Sequence, residues 1–78
     1  NMSCSWKIIR DGLSNPIGAK YSNGFTFKGT FDENEMPVCG EIKSPEGKLI
    51  YKGVIEVDIY QYFQKYLETG KTIKSKEL

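Results

Sequence analysis

Residues 24–31 read Gly-Phe-Thr-Phe-Lys-Gly-Thr-Phe, and residues 47–55 read Gly-Lys-Leu-Ile-Tyr-Lys-Gly-Val-Ile. Each stretch is a turn glycine, a run that carries an aromatic residue, a Lys-Gly pair and a final apolar residue. The aromatic residues Phe27 and Tyr51 are 24 positions apart, as are Gly29 and Gly53. A self-match at such a period is typical of a small structural unit that must stack on a neighbour to bury its apolar face. The sequence therefore predicts two similar hairpins in one sheet.

Alternation of apolar and polar residues predicts strands within this repeat and before it. Their expected bounds are residues 3–10, 17–21, 25–31, 38–43 and 48–57. In the second strand, Ile17, Ala19 and Tyr21 are expected to share one face. In the last strand, strict alternation places Tyr51 on one face and Ile50 on the other.

Two glycines have a physical reason in this pattern. Asn23-Gly24 lies between two strand-like runs and predicts a tight hairpin, because both residues tolerate a positive φ. Gly29 falls in the apolar register of its strand, where a side chain is missing. We therefore expect an aromatic ring to lie across the backbone there. The natural occupant is the aromatic residue two positions before each repeat glycine.

The hydrophobic period changes after residue 57. Apolar residues at positions 59, 62, 63, 66 and 67 follow the spacing of an amphipathic helix. Asp58 is expected to cap its start, with Gln61 completing a capping box, and Gly70 is placed to end it. The predicted helix spans residues 58–69 within a single domain of residues 1–70. Residues 71–78 are expected to form a polar tail.

The form Gly-x-x-aromatic-x-Gly-x-aromatic is met at Gly24, Phe27, Gly29 and Phe31. This resembles the MORN repeat, and residues 6–55 cover about two such units. The second unit departs from the form, since Ile55 stands where the pattern has its last aromatic residue. The resemblance implies an antiparallel β-meander of MORN-like hairpins. Together with the C-terminal helix, which lies outside the resemblance and is expected to pack on the sheet, this predicts a mainly β (α+β) fold. It also implies complex assembly, dimerisation or phospholipid contact, without choosing among them.

The composition argues against catalysis and metal binding. The chain contains no histidine, which removes the commonest general base and the commonest metal ligand. The carboxylates of residues 32–35 lie in a polar loop, where nothing would raise their pKa. We therefore predict that the chain is not an enzyme and has no cofactor and no metal site.

Cys4 and Cys39 have no zinc-like spacing, although one disulfide stays open as an alternative. Cys39 is expected in a strand as a small buried apolar residue. We infer a reducing, cytoplasmic setting. The sequence has no apolar run long enough for a signal peptide or a transmembrane segment.

The predicted function is a non-enzymatic protein-protein interaction or scaffolding module. Its binding surface is expected on the aromatic sheet face or the tyrosine-rich helix face, through Tyr21, Phe27, Tyr51, Tyr60, Tyr62 and Tyr66. Packing of the helix on the sheet is the competing interpretation of the helix residues.

Two alternatives stay open: a small inhibitor or adaptor that occupies one larger protein, and a nucleic-acid or anionic-lipid binding β-domain. The seven acidic residues among positions 32–58 disfavour nucleic acid. Peripheral lipid contact stays open. So does a homo-oligomer, because a chain of 78 residues buries only a modest core.

Overall fold

The computed structural model describes residues 4–74. They form β1 (Trp6–Arg10), β2 (Pro16–Tyr21), β3 (Thr26–Phe31), β4 (Pro37–Lys43), β5 (Leu49–Val54) and α1 (Ile59–Thr69). The five strands make one sheet in the order of the sequence, and each pairs antiparallel with the next. The predicted class, a mainly β antiparallel sheet with one C-terminal helix, is confirmed.

The four connections between neighbouring strands fold into the same five-residue loop. In each loop the first N–H donates to the fifth C=O, and the fourth N–H donates to the first C=O. The loops are residues 11–15, 21–25, 32–36 and 44–48. Their fourth residues all have a positive φ: Ser14 (68°), Gly24 (98°), Glu35 (60°) and Gly47 (88°). A type I turn followed by one left-handed residue is a common hairpin connection.

The Asn23-Gly24 prediction is right about the hairpin and wrong about its turn. Only Gly24 of the pair has a positive φ. The side-chain oxygen of Asn23 instead accepts a hydrogen bond from the N–H of Phe25 at 3.2 Å. Asparagine is therefore used here as a local hydrogen-bond acceptor and not as a second left-handed residue.

Two loops place a residue with a side chain where glycine is favoured, namely Ser14 and Glu35. Each of these loops begins with an aspartate, Asp11 or Asp32. That carboxylate accepts hydrogen bonds from the N–H groups two and four residues on, at 2.8–3.0 Å. Arg10 joins the two loops, since it donates to the C=O of Ser14 at 3.1 Å and to Oε1 of Glu35 at 2.9 Å. Side-chain hydrogen bonds thus hold the loops that lack glycine.

A row of glycines crosses the sheet. Gly29, Gly40 and Gly53 face one another on β3, β4 and β5. A Cβ on Gly29 would clash with the C=O of Cys39, so close approach of the β4 backbone requires this glycine. The predicted arrangement of a ring beside a glycine is found at Gly53, where the hydroxyl of Tyr51 would lie 3.1 Å from a Cβ.

The helix lies against one face of the sheet and closes the core. Phe63 stacks on Phe25 with ring centroids 4.5 Å apart and meets Tyr21 edge-on at 5.0 Å. Tyr62 contacts Tyr51 with centroids 4.5 Å apart. The buried apolar residues are Ala19, Tyr21, Phe25, Phe27, Ile42, Ile50, Tyr51, Ile59, Tyr62, Phe63 and Ile73. Removal of these side chains from water is the main stabilising term that the sheet and the helix share.

Strand β5 ends at Val54, before the predicted end at residue 57. A register shift in the pairing of β4 with β5 leaves Ile50 as an extra residue between Leu49 and Tyr51. Such a bulge breaks the alternation of side chains. Ile50 and Tyr51 are therefore both buried, and the prediction that they lie on opposite faces is wrong.

Strand β2 contains a similar irregularity at Ile17. The register passes from Ile9 paired with Gly18 to Arg10 paired with Pro16, so that Ile17 is the extra residue. Ile17 is exposed, whereas Ala19 is fully buried. The predicted common face of these residues is therefore wrong at Ile17.

Asp58 and Gly70 cap the two ends of α1 as predicted, but the hydrogen bond made by the Asp58 side chain differs from the predicted one. The carboxylate of Asp58 accepts a hydrogen bond from the N–H of Tyr60 at 3.0 Å, whereas the N–H of Gln61 donates to the Asp58 C=O. The expected capping-box bond to Gln61 is thus replaced by a bond one residue earlier. Gly70 ends the helix with φ 70°, and its N–H donates to the C=O of Tyr66.

The chain after Gly70 is not wholly polar surface. Ile73 is 4% exposed and belongs to the core. Its N–H donates to the C=O of Ile50 at 2.8 Å, beside the bulge in β5. The prediction of a polar tail from residue 71 is therefore wrong at Ile73, and residues 75–78 lie outside the described part.

Candidate functional site

The two faces that the sequence offers as binding surfaces pack against each other. Four of the six named residues are buried: Tyr21 (5% exposed), Phe27 (2%), Tyr51 (3%) and Tyr62 (0%). The apolar face of the sheet and that of the helix each leave water by covering the other. These four side chains are therefore interior contacts of the folded domain and do not present a free binding surface.

Tyr60 and Tyr66 are the two named residues that remain half-exposed. The ring of Tyr66 meets Phe25 edge-on, and Nζ of Lys48 lies 5.7 Å from its centroid. The hydroxyl of Tyr60 donates to the C=O of Cys4 at 3.1 Å. Tyr60 is thereby fixed at the start of the helix, next to an open concave surface.

This concave surface, which we call the Tyr60 groove, has a volume of about 350 Å³. Its first wall is aromatic. Trp6 stacks on Tyr21 with centroids 5.6 Å apart and planes 9° apart, and Tyr21 meets Tyr60 edge-on at 5.7 Å. The aliphatic part of the lining includes Met36, Pro37, Ile55 and Val57.

Large apolar side chains stay accessible to water around the groove. Trp6 is 37% exposed and Met36 is 48% exposed. Half-exposed aromatic residues beside an apolar concavity are typical of the central contacts of protein interfaces. The groove therefore offers an anchor site for an apolar side chain.

The segment between β5 and α1, which supplies Ile55, Glu56 and Val57 to the groove, is held from the core. The hydroxyl of buried Tyr62 accepts a hydrogen bond from the N–H of Glu56 at 2.9 Å. The N–H of Ile55 donates to the C=O of Val38 at 2.8 Å. These bonds fix the groove wall before any ligand binds, which lowers the entropy cost of binding.

A second core tyrosine supports the same segment. The hydroxyl of Tyr51 donates to the C=O of Val54, to which the Tyr62 hydroxyl also donates at 3.5 Å. Burial, together with the hydrogen bond to Tyr62, raises the pKa of Tyr51 to about 12. Tyr51 therefore remains a neutral hydrogen-bond donor over the physiological range of pH.

The charged residues that line the Tyr60 groove are both acidic. Glu56 and Asp58 are exposed at its edge, and no lysine or arginine is among the described residues that line it. The groove therefore combines an apolar centre with a negative rim, which favours a partner that carries positive charge next to an apolar group.

Sequence reasoning missed Trp6, Met36 and Val57 as functional candidates. Trp6 begins the repeat-like region and Val57 ends a predicted strand, so both residues have structural interpretations. Met36 gave the one signal in the sequence that could have indicated this site, because it is an apolar residue within an otherwise polar and acidic loop.

Both cysteines are free thiols. Cys39 is exposed, so the expectation of a buried small apolar residue is wrong. Cys39 lies on the face of the sheet opposite the helix, and Thr30 is its cross-strand partner on that face. At Cys4, burial opposes ionisation, but hydrogen bonds from Ser22 and Asn23 outweigh it and lower the pKa of the thiol.

Within residues 4–74, no group of three or more potential side-chain ligands is arranged to hold a metal ion. The same residues include no helix with the length and apolar character needed to cross a membrane. Comparisons with family models, curated proteins and solved structures found no match to the chain. The surface chemistry of the domain is therefore the basis for a functional proposal.

Proposed function

We propose that this chain is a non-enzymatic protein-interaction module that binds a segment of a partner protein in the Tyr60 groove. The observation that carries the proposal is the half-exposed Trp6, stacked on Tyr21 at the open side of an apolar groove. A tryptophan in such a position loses much exposed apolar surface when a partner covers it, and tryptophan is enriched among binding hot spots.

The chemistry of the groove defines the partner segment. Its centre takes an apolar side chain between Trp6 and Met36. Its rim, with Glu56 and Asp58, attracts lysine or arginine next to that side chain. The expected partner motif is therefore one apolar anchor with basic neighbours, bound mainly by burial and oriented by charge.

The repeated hairpins suit a scaffolding role. The loops at residues 11–15 and 32–36 are joined by Arg10, and the sheet holds Trp6 and Met36 at fixed positions. A MORN-like scaffold is our interpretation of this repeat, supported by the glycine and aromatic spacing of its hairpins. A rigid support of this kind favours either assembly of larger complexes or the adaptor role, in which one partner binds stoichiometrically.

The competing proposal, binding of nucleic acid or anionic lipid, is favoured by a different observation. Five lysines lie on the sheet face that the helix leaves open: Lys7, Lys20, Lys28, Lys43 and Lys52. Binding to phosphate would weaken steeply with salt, whereas binding in the Tyr60 groove would persist. Salt dependence therefore separates the two functions.

The experiment captures partners from the source cell on the immobilised chain at low and high salt. The captured protein is then purified and mixed with the chain, and amide hydrogen exchange is measured. We expect a salt-resistant 1:1 complex with new protection at residues 55–60 and around Met36. Recovery of only nucleic acid, lipid or further copies of the chain would overturn the proposal, as would protection confined to the open face of the sheet.

A further inference from the structure

The open face of the sheet, opposite α1, carries all five strand lysines. The register places Lys7 opposite Lys20, Lys20 opposite Thr26, and Thr26 opposite Lys43. The next row places Lys28 opposite Glu41, and Glu41 opposite Lys52. We call this surface the lysine face. Its strand positions hold five lysines and the single carboxylate of Glu41.

These lysines are poorly neutralised by the domain itself. The ion pair on this face joins Lys52 to Glu41 at 3.8 Å. Lys7, Lys20, Lys28 and Lys43 are exposed, and no carboxylate of residues 4–74 lies within salt-bridge distance of them. Lys7 and Lys20 are direct cross-strand partners, an arrangement of like charges that is unfavourable in a sheet. An anionic ligand would relieve this repulsion.

The lysine face also contains an apolar depression of about 280 Å³. Its apolar walls are Ile9 and Ile17, and Lys28 and Lys43 lie at its rim. Gly18 forms part of the lining, and a Cβ there would lie 2.8 Å from the C=O of Phe27. The bulge at Ile17 and the missing side chain of Gly18 together create the space.

The size of the depression limits what it can hold. Pockets for drug-sized ligands have volumes of about 300–1,000 Å³, so this one is suited to a single side chain. Ile9 and Ile17 would contact that side chain, while Lys28 and Lys43 would meet negative charges on either side of it. The required ligand therefore has an apolar group with anionic neighbours.

We propose that the lysine face binds an acidic segment of a partner protein, with one apolar side chain of that segment in the depression beside Ile9 and Ile17. This site lies on the opposite face of the sheet from the Tyr60 groove, and its ligand has the opposite charge. The proposal does not rest on the groove, so either site can fail without the other.

Shape favours a polypeptide over nucleic acid. Phe27, the aromatic residue that lines the depression, is 2% exposed, so its ring cannot stack on a base. A bilayer surface is flat on this scale and would leave the depression unfilled, whereas a peptide side chain would enter it.

The test uses fluorescein-labelled acetyl-Glu-Glu-Leu-Glu-Glu-amide and fluorescence anisotropy with the whole chain. Two matched peptides replace the leucine with glycine or the glutamates with lysines. We expect binding of the first peptide with a Kd below about 1 mM, and at least about tenfold weaker binding of the other two. Equal binding of the glycine peptide would show that the depression is not used, and would overturn the proposal.

Protein variants locate the site. The double variant Lys28→Glu with Lys43→Glu should bind the first peptide at least about tenfold more weakly than the original chain does. The single variant Ile17→Glu should show a similar loss of affinity. The matched controls are Lys71→Glu, on exposed chain after the helix, and Val54→Glu, on the same face but outside the depression. Circular dichroism confirms that each variant is folded before binding is measured.

Three further results would overturn the proposal. The first is peptide binding that survives Ile17→Glu in a folded variant. The second is no binding of any of the three peptides. The third is binding of a single-stranded oligonucleotide or of vesicles containing phosphatidylserine, with no binding of the acidic peptide.

Discussion

The hydroxyl of Tyr62 accepts a hydrogen bond from the backbone N–H of Glu56 at 2.9 Å, inside the domain. This bond links the first turns of the helix to the segment that forms one wall of the Tyr60 groove. On sequence grounds, Tyr62 is a candidate for contact with a partner, but in the structure it is fully buried. Its position shows how a buried residue can shape a binding surface without touching a ligand.

Two substitutions that remove successively more of the Tyr62 side chain should therefore destabilise the fold by increasing amounts. Tyr62→Phe leaves the Glu56 N–H without its partner and should cost about 1–3 kcal/mol in the free energy of unfolding. Tyr62→Ala also removes a fully buried ring and should cost about 3–5 kcal/mol. Urea denaturation measures both, with Tyr66→Phe as a control that should change stability by less than about 0.5 kcal/mol. A near-neutral Tyr62→Ala would contradict the core position.

The two glycine loops provide a matched pair of substitutions. Gly24 and Gly47 both have a positive φ, so alanine at either position should cost about 1–2 kcal/mol. At Gly24 the new Cβ would also lie 2.9 Å from Cβ of Pro45, whereas at Gly47 it would meet nothing within 4 Å. Thermal unfolding should therefore show a larger loss for Gly24→Ala than for Gly47→Ala. The reverse order would mean that the contact with Pro45 is wrong.

At Ser14, the reverse substitution, to glycine, should increase stability. Ser14 has φ 68° in the loop before β2, a conformation that glycine adopts at lower cost. Ser14→Gly should raise the free energy of unfolding by roughly 0.5–1 kcal/mol, because its C=O can still accept from Arg10. Gly12→Ala in the same loop is the control for a change of loop composition. A stability loss for Ser14→Gly would contradict the left-handed geometry of the loop.

Acid should weaken the two aspartate-led loops. Hydrogen bonds from Asn15 and Leu13 lower the pKa of Asp11 below 3.8, and the bond from Arg10 lowers that of Glu35 below 4.5. A lowered pKa in the folded state stabilises the protein above the unfolded pKa, and this contribution is lost as pH falls through the folded pKa. The free energy of unfolding should therefore decline as pH drops below about 4.5.

Asp11→Asn tests the acid effect, because asparagine keeps a side-chain acceptor for the loop but does not titrate in this range. Denaturant unfolding at several pH values between neutrality and pH 3 should show a shallower decline for the variant than for the original chain. Identical slopes would show that Asp11 has the same pKa in the folded and unfolded states.

The sequence was sufficient to place the strands and the helix and to locate both ends of the helix. Alternation located the strands, the 3.6-residue period located the helix, and Asp58 and Gly70 marked its limits. The repeat was visible because Gly24 and Gly47 occupy equivalent loop positions. All of these are local effects, in which a residue's own conformational preference decides the structure.

The side-chain faces needed tertiary information. The bulges at Ile17 and Ile50 depend on how neighbouring strands pair, and nothing in either residue signals an extra position. Ile73 is buried only because the chain after the helix returns to the C=O of Ile50. The only indication of this burial in the sequence was that Ile73 is an apolar residue among polar ones.

The candidate site was predicted in part. The sequence identifies the aromatic residues, but it presents the sheet and helix surfaces as alternatives, whereas the structure shows them to be the two sides of one core. The accessible surface lies at the edge of that core, where Tyr60, Trp6 and Met36 line one groove. Such an edge is set by the length of the helix and the path of residues 55–58, which periodicity does not describe.

The central claim is that the Tyr60 groove binds a basic, apolar segment of a partner protein. The most direct test is a calorimetric titration of the purified partner into the original chain and two variants. Met36→Lys places a positive charge in the groove wall, and Leu67→Lys makes a similar change at a helix residue that is 62% exposed and outside the groove. Both variants have the same net charge.

We predict that the original chain forms a 1:1 complex with the partner. Met36→Lys should lower the affinity of this complex at least about tenfold, equivalent to about 1.4 kcal/mol, whereas Leu67→Lys should change the affinity by no more than about twofold. The lysine at position 36 would lose apolar contact and repel the basic flank of the partner. Equal affinity of the original chain and a folded Met36→Lys variant would contradict the account, because the partner would then bind elsewhere on the domain.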